Sequence, residues 1–234
     1  MTSIQKVAVV TGSSNGIGLE IALKLAKNGF LTYATMRNLT KSKELETRIG
    51  DNKQLRSLIK FVQLDVTDDK SIKKAIVSIV NESERIDVLV NNAGYGLSGA
   101  LEDISIQEFK DQFETNVFGL IRTTQEVIPI MRTQKSGLIV NISLGAGRFG
   151  YPTGSAYVST KFAVEGLSES MSYELEPFGI KTVIIEPGVI DTNFHKALQI
   201  AKKSQDPDTP YAPLMKAMEN NIKKLLVMGQ HQNT

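Results

Sequence analysis

The sequence predicts one α/β domain, a doubly wound parallel sheet of six strands with helices on both faces. Three observations predict it. Apolar, β-branched runs alternate with amphipathic helical patterns along the chain, which specifies βαβ units and a parallel sheet. A Gly-rich turn joins the first run to the first helix. And 234 residues with 41% hydrophobic content suffice for one domain with a sizeable core.

Taken in order, Lys6 to Thr11 reads as a buried strand that stops at Gly12-Ser13-Ser14-Asn15-Gly16-Ile17-Gly18. Leu19, Ile21, Ala22, Leu23, Leu25 and Ala26 then recur at helical spacing until Asn28-Gly29 ends the helix. Strand runs fall at 6–11, 31–36, 59–64, 86–91, 137–143 and 180–186, with helical patterns near 17–28, 40–49, 69–83, 105–133 and 155–176. Right-handed crossovers put the ligand site at the carboxyl ends of the strands. Thr11, Arg37, Asp65, Asn91, Ser143 and Pro187 all lie at such ends, so the topology would gather them along one rim. Beyond Asp206-Pro207-Asp208-Thr209-Pro210 there is one more helical pattern, 213–228, and a polar tail, 229–234.

Composition excludes several functions. Without cysteine there is no disulfide, thiolate nucleophile or cysteine metal site, and two histidines, His195 and His231, are too few for a metal cluster. A net charge of +2, from 27 basic and 25 acidic residues, gives no reason to expect nucleic acid. No apolar run has the length of a membrane span, and Met1 to Gln5 leaves no room for a signal peptide, so a cytoplasmic enzyme is the expectation.

Glycine at the turn allows positive φ and close approach of a ligand, and the helix N-terminus behind it offers unpaired N–H groups to an anion; a dinucleotide pyrophosphate meets both conditions. Tyr157 and Lys161 stand four residues apart, on one face of a helix. A cation beside a phenol favours the phenolate and would lower the tyrosine pKa toward the range of a working acid or base. By itself this spacing also describes a helix with one exposed lysine.

Thr11 to Gly18, Asn91-Asn92-Ala93-Gly94 and Tyr157-x3-Lys161, in that order, resemble the short-chain dehydrogenase/reductase family from Lys6 to about Phe194. Tyr33-Ala34-Thr35-Met36-Arg37 and Lys161-Phe162-Ala163-Val164-Glu165-Gly166 resemble, less specifically, its branch acting on steroid, retinoid and other bulky carbonyls. The resemblance implies a Rossmann-like fold and hydride transfer between a nicotinamide cofactor and a carbonyl or secondary alcohol. It implies a catalytic set of Asn116, a serine, Tyr157 and Lys161, with Tyr157 as acid or base. Lys161 would bind the nicotinamide ribose, and the Asn116 carbonyl would hold a water of a proton relay. The alternative for Asn116 is a polar residue that simply faces a neighbouring helix.

The serine departs from the pattern. The family places it thirteen residues before the tyrosine, which here is Leu144. Ser143 lies one residue earlier and would point to the opposite face unless the Gly145-Ala146-Gly147 loop re-aims it. Leu144 marks either a native adaptation, an introduced substitution, or a member that binds cofactor with impaired or no catalysis; that last reading is the alternative function.

For the cofactor, an acid at the end of the second strand would suit NAD(H) and an arginine a 2′-phosphate; Arg37 favours NADP(H), although a surface arginine reads the same. The resemblance assigns the phosphates to Gly12, Ser14, Asn15, Gly16, Ile17 and Gly18, and the adenine to Asp65 and Val66. It assigns the ribose and central sheet to Asn91, Asn92, Ala93 and Gly94, and the nicotinamide to Pro187, Gly188, Val189 and Thr192. Residues 193–215, with Phe194, Leu198, Ile200, Tyr211 and Leu214, would be a substrate lid suited to a hydrophobic substrate, unless those side chains are core. The family's usual further helix and seventh strand are missing, so either the sheet has six strands or the sequence is a piece of a longer protein. A homodimer through the helices at 105–133 and 155–176 is expected, a tetramer being the alternative, and those faces could also be core.

Overall fold

The computed structural model describes residues 4–188 and 198–230, the last nine of these, with residue 146, by backbone alone. Six parallel strands form the sheet: β1 (Val7–Val10), β2 (Leu31–Met36), β3 (Ile59–Gln63), β4 (Val88–Asn91), β6 (Gly137–Ile142) and β7 (Ile180–Ile185). Their order is β3-β2-β1-β4-β6-β7, so the winding reverses between β1 and β4. This is the Rossmann-like doubly wound arrangement, and the crevice at the reversal is where such sheets bind ligands.

Side chains on β1 alternate between two cores. Val7 and Val9 pack with Tyr33, Leu89 and Ile139 under α4 (Asp69–Ser83), α6 (Gly119–Gln134) and α7 (Ser155–Leu175). Ala8 and Val10 pack with Ala34, Val90 and Ile142 under α1 (Gly16–Lys27), α2 (Lys43–Ile49) and α3 (Lys53–Leu58). A strand buried on both faces has no polar side, which is why it reads as an unbroken apolar run. Each such valine contributes about 2 kcal/mol by leaving water.

Two elements differ from the sequence reading. The expected helix over 105–133 is three pieces: α5 (Ile106–Phe113), closed at its start by a capping box between Ser105 and Glu108; a π-turn, Glu114–Phe118; and α6. Of the expected substrate lid at 193–215, the stretch 198–211 is a strap tied to the rest of the fold. It adds β8 (Gln199–Ile200) alongside β5 (Leu97–Ser98), buries Ala201, and ties Ser204 and Thr209 to the Asp103 carboxylate at 3.2 and 2.8 Å. Burial alone would raise the Asp103 pKa, but hydrogen bonds from Thr209, Lys203 and Ser204 outweigh it and hold it below the usual range. The strap continues into α8 (Ala212–Gln230).

Candidate active site

The Gly-rich turn is built to leave space. Gly12 adopts φ +66°, and a Cβ there would lie 2.8 Å from Ala93 Cα. On Gly18 it would lie 2.5 Å from the Gly12 carbonyl and closer still to Asn92 Nδ2. Asn92 explains this crowding, because its Nδ2 donates to the Thr11 and Gly12 carbonyls at 2.9 and 3.0 Å. Thr11 Oγ1 accepts from the Asn92 and Ala93 amides, both at 3.0 Å. Two strand ends are thus clamped across the crevice. Ser13 ties the same turn to β2 through the Thr35 carbonyl, at 3.0 Å from both its amide and its hydroxyl.

The start of α1 has no side-chain cap and no acid in its first turn. Its leading N–H groups, with Ser14, Asn15, Gly16 and Ile17 around them, suit an anion. Arg37 is exposed at the end of β2, and no carboxylate among the described residues pairs with it. Asp65 ends β3 in a turn, its Oδ1 accepting from the Thr67 amide and hydroxyl at 3.0 and 2.8 Å. Val66 is buried against Gly119. Pro187 and Gly188 follow β7, and the Pro187 carbonyl accepts from the Gly145 amide at 3.3 Å. Val189, Thr192, Phe194 and His195 lie outside the described residues. The uncapped helix start, the two glycines and the unpaired arginine together fit a phosphorylated dinucleotide.

Asn91 has a different place from its neighbours. Its Nδ2 donates to Thr124 Oγ1 and Asn141 Oδ1, both at 2.9 Å, and Asn141 Nδ2 donates to Ser168 Oγ at 2.8 Å. This buried polar chain fastens α6 and α7 to the sheet. Asn141 and Ser168 were not singled out in the sequence; an asparagine inside an apolar strand is the signal that could have found them.

Tyr157 and Lys161 do share a face of α7, both buried. Their electrostatics differ from the sequence expectation. Lys161 Nζ donates to the Ile142 carbonyl at 2.8 Å and stands 5.6 Å from the centre of the Tyr157 ring. Burial, and then the neighbouring Tyr151 phenol, push the Tyr157 pKa up rather than down. Burial pulls Lys161 down to about 8, against the opposing charge of Glu165. Among protein groups alone, desolvation outweighs a cation that is aimed at a carbonyl.

Asn116 sits in the π-turn, where an extra residue per turn often marks a functional position. Its side chain accepts from the Tyr95 amide at 3.1 Å and donates to the Tyr95 carbonyl at 3.0 Å and to Thr160 Oγ1 at 3.2 Å. It therefore locks the segment after Gly94 to the helix that carries Tyr157. Gly94 is required beside it, since a Cβ there would stand 3.0 Å from Asn116 Oδ1.

Ser143 is buried, and its hydroxyl has no hydrogen-bond partner among the described groups. Leu144 stays extended, Gly145–Gly147 closes a tight turn, and Ser143 Oγ lies 2.8 Å from where a Gly147 Cβ would be. The backbone of Thr153 is the strained point nearby: φ is +63°, held by the Gly99 amide on its carbonyl at 2.8 Å and by Ser98 Oγ on Thr153 Oγ1 at 3.1 Å. Strain in a β-branched residue persists only where its surroundings fix it, and it commonly marks a functional loop.

Comparison with known proteins agrees with this geometry. The sequence model of the short chain dehydrogenase family matches residues 6–203. The uncharacterized oxidoreductase YusZ of Bacillus subtilis is 43% identical over 189 residues, which is 81% of this chain and 66% of that protein. Retinol dehydrogenase 8 of Bos taurus is 35% identical over 236 residues, 95% of this chain and 74% of that one. Among solved structures, ElxO with NADP bound superposes with a TM-score of 0.76 at 35% identity, over 82% of this chain and 77% of that chain.

Proposed function

The chain belongs to the short-chain dehydrogenase family, and from that premise we propose that it is an oxidoreductase for a hydrophobic carbonyl or secondary alcohol, with NADP(H) as cofactor and Tyr157 as proton donor or acceptor. The observation that carries the reading is the buried Tyr157–Lys161 pair on α7, facing the same rim as the uncapped start of α1. NADP(H), when bound, supplies or takes the hydride. Gly12, Ser14, Asn15, Gly16, Ile17 and Gly18 would hold its pyrophosphate, Arg37 the 2′-phosphate, and Asp65 and Val66 the adenine. Asn92, Ala93 and Gly94 would line the ribose, and Pro187, Gly188, Val189 and Thr192 the nicotinamide. A bound NADP in the similar ElxO structure supports this choice over NAD(H).

Burial keeps the Tyr157 phenol protonated at neutral pH, so it is poised to donate to a substrate oxygen in the reducing direction. Lys161 would bind the ribose, and Asn116 ties the segment after Gly94 to the helix that carries the pair. The strap at 198–211 would form a fixed wall of the substrate pocket. A homodimer through α5, α6 and α7 is in keeping with the exposed Ile106 of α5, Phe118 of the π-turn, and Phe162 and Tyr173 of α7. No helix is long and apolar enough to cross a membrane among the described residues, and a cytoplasmic location with a small-molecule substrate fits the reading.

The test is reduction of a broad aldehyde and ketone panel with NADPH, and the reverse with alcohols; binding of NADPH without turnover of any of them defeats the oxidoreductase reading. A second reading, dinucleotide binding with impaired catalysis, is favoured by the inaccessible Ser143 hydroxyl. Leu144→Ser separates the two. A restored donor to the substrate oxygen is expected to raise turnover by about 10²- to 10³-fold. A gain of only a few-fold means that another group already orients the substrate.

For the cofactor, Arg37→Ala is expected to weaken NADPH binding roughly 10- to 100-fold, the value of a charged hydrogen bond, and to leave NADH unaffected. Fluorescence titration with both nucleotides checks it. Tighter binding of NADH by the parent chain would remove the assignment.

A further inference from the structure

Thr153 is held at φ +63° two residues before the start of α7, whose first turn carries Tyr157. Two neighbours fix it there, and they form one dipeptide. The Gly99 amide donates to the Thr153 carbonyl at 2.8 Å, and the Ser98 hydroxyl donates to Thr153 Oγ1 at 3.1 Å. The other side of the same dipeptide carries the strap. The Ser98 carbonyl accepts from the Ala201 amide at 2.9 Å, and a Cβ on Gly99 would lie 2.8 Å from Ala201 Cβ and 2.9 Å from Ser204 Oγ. Ser204 in turn donates to the Asp103 carboxylate at 3.2 Å, as Thr209 does at 2.8 Å, and Lys203 Nζ stands 3.3 Å from its other oxygen. Asp103 is 3% exposed, so these groups rather than water hold its charge. Ala201 also shares a small core with Leu97, Ile104 and Ala156, the last being the residue before Tyr157. From Asp103 to the start of α7, every step is a direct contact.

We propose that Asp103 is a positioning residue for Tyr157: by fastening the strap it keeps Ser98 and Gly99 on Thr153, holds that residue in its strained conformation, and so fixes how the first turn of α7 presents the phenol. The inference rests on the oxidoreductase reading. Strain supplies the leverage. A residue of ordinary backbone would stay in place when the strap loosens, whereas a β-branched residue at positive φ gains free energy by leaving. Gly154 comes next, caps α7 without a side-chain hydrogen bond, and accepts from the Val158 amide at 2.7 Å. A rotation of the Thr153 backbone is therefore passed directly to the helix start.

The experiment compares the parent chain with Asp103→Ala, Thr209→Val and Thr153→Gly, alone and with each latch substitution combined with Thr153→Gly. Two quantities are read: amide hydrogen exchange at Val158, with Val9 of β1 as the reference, and the single-turnover rate at saturating NADPH with the substrate that the carbonyl panel identifies. Thr209→Val keeps the shape of the side chain and removes the shorter hydrogen bond to the carboxylate. It is expected to speed exchange at Val158 relative to Val9, and to lower the single-turnover rate, each by about 10-fold, the value of one hydrogen bond to a charge. Asp103→Ala should do both more strongly. Glycine takes positive φ unaided, so in the Thr153→Gly chain the same latch substitutions should change either quantity by less than about twofold.

A merely structural role would lower the melting temperature in both backgrounds and leave the single-turnover rate of the folded chain where it is. Parent-like rates and exchange in the latch variants, or losses of equal size in the Thr153→Gly background, overturn the proposal. Should Asp103→Ala fail to fold, Thr209→Val decides alone. Exchange needs neither cofactor nor turnover, so the two failures are distinguishable. A parent chain that binds NADPH and reduces nothing defeats the oxidoreductase reading, while Val158 still decides whether the strap holds the start of α7.

Discussion

Replacing Tyr157 by phenylalanine is expected to lower turnover by about 10²- to 10⁴-fold, the contribution of a positioned acid–base group. NADPH affinity should change by no more than a few-fold. The ring is buried on α7 with Ala156 and Val158 beside it, and phenylalanine keeps that packing while removing the hydroxyl proposed as the proton donor. Single-turnover kinetics at saturating NADPH, with the substrate that the carbonyl panel identifies, isolates the chemical step from release. Retention of a tenth or more of the parent rate would sink the role given to Tyr157. The pH dependence follows from the two shifted groups. Tyr157 is pushed above its ordinary value, so it stays protonated across the neutral range. Lys161 is drawn down to about 8, so its ammonium is fully present below that pH and is lost as the pH rises through it. Reduction should therefore be flat through neutrality and fall on the alkaline side.

The second large effect is expected at Gly18. Gly18→Ala adds a methyl carbon 2.5 Å from the Gly12 carbonyl, and still nearer to Asn92 Nδ2, where neither partner is the free end of a flexible chain. Asn92 is held by hydrogen bonds to the Thr11 and Gly12 carbonyls, so relieving the clash means breaking the clamp between β1 and β4. Overpacking of this kind costs about 1–3 kcal/mol. At roughly 2–4 °C per kcal/mol for a chain of this size, the melting temperature should fall by several degrees. NADPH affinity should fall in parallel, roughly 10- to 100-fold if the same free energy is lost from the cradle. Calorimetric melting with and without NADPH checks both effects. An unchanged affinity would show that the turn does not contact the pyrophosphate.

Most of the fold was legible because the sheet is buried on both faces. Runs such as Val7 to Val10 have no polar side to confuse with a helix, and the six expected strands lie within two residues of those in the structure. Shorter elements were not legible. β5 and β8 are two residues each, too short for any periodicity, and they exist because Ala201 and Leu97 bury against Ile104 and Ala156. The break of the 105–133 pattern into α5, π-turn and α6 was hidden for another reason. Hydrophobic spacing hardly registers one extra residue in a turn, whereas the partners of Asn116, Tyr95 and Thr160, come from distant parts of the chain. Thr153, the strained residue, carried no local signal at all.

By itself the sequence determined the order of strands and helices, the Gly-rich turn, the spacing of Tyr157 and Lys161, and the leucine where a serine was expected. These are local properties, set by side-chain type and by the 2- and 3.6-residue periods of the backbone. Only the tertiary structure decided what the charges do. The Tyr157–Lys161 spacing promised a depressed phenol, yet burial raised it and turned the lysine onto the Ile142 carbonyl. It likewise sealed the Ser143 hydroxyl under Gly147. Desolvation and charge coupling depend on which atoms surround a group in space, and no spacing along the chain records that.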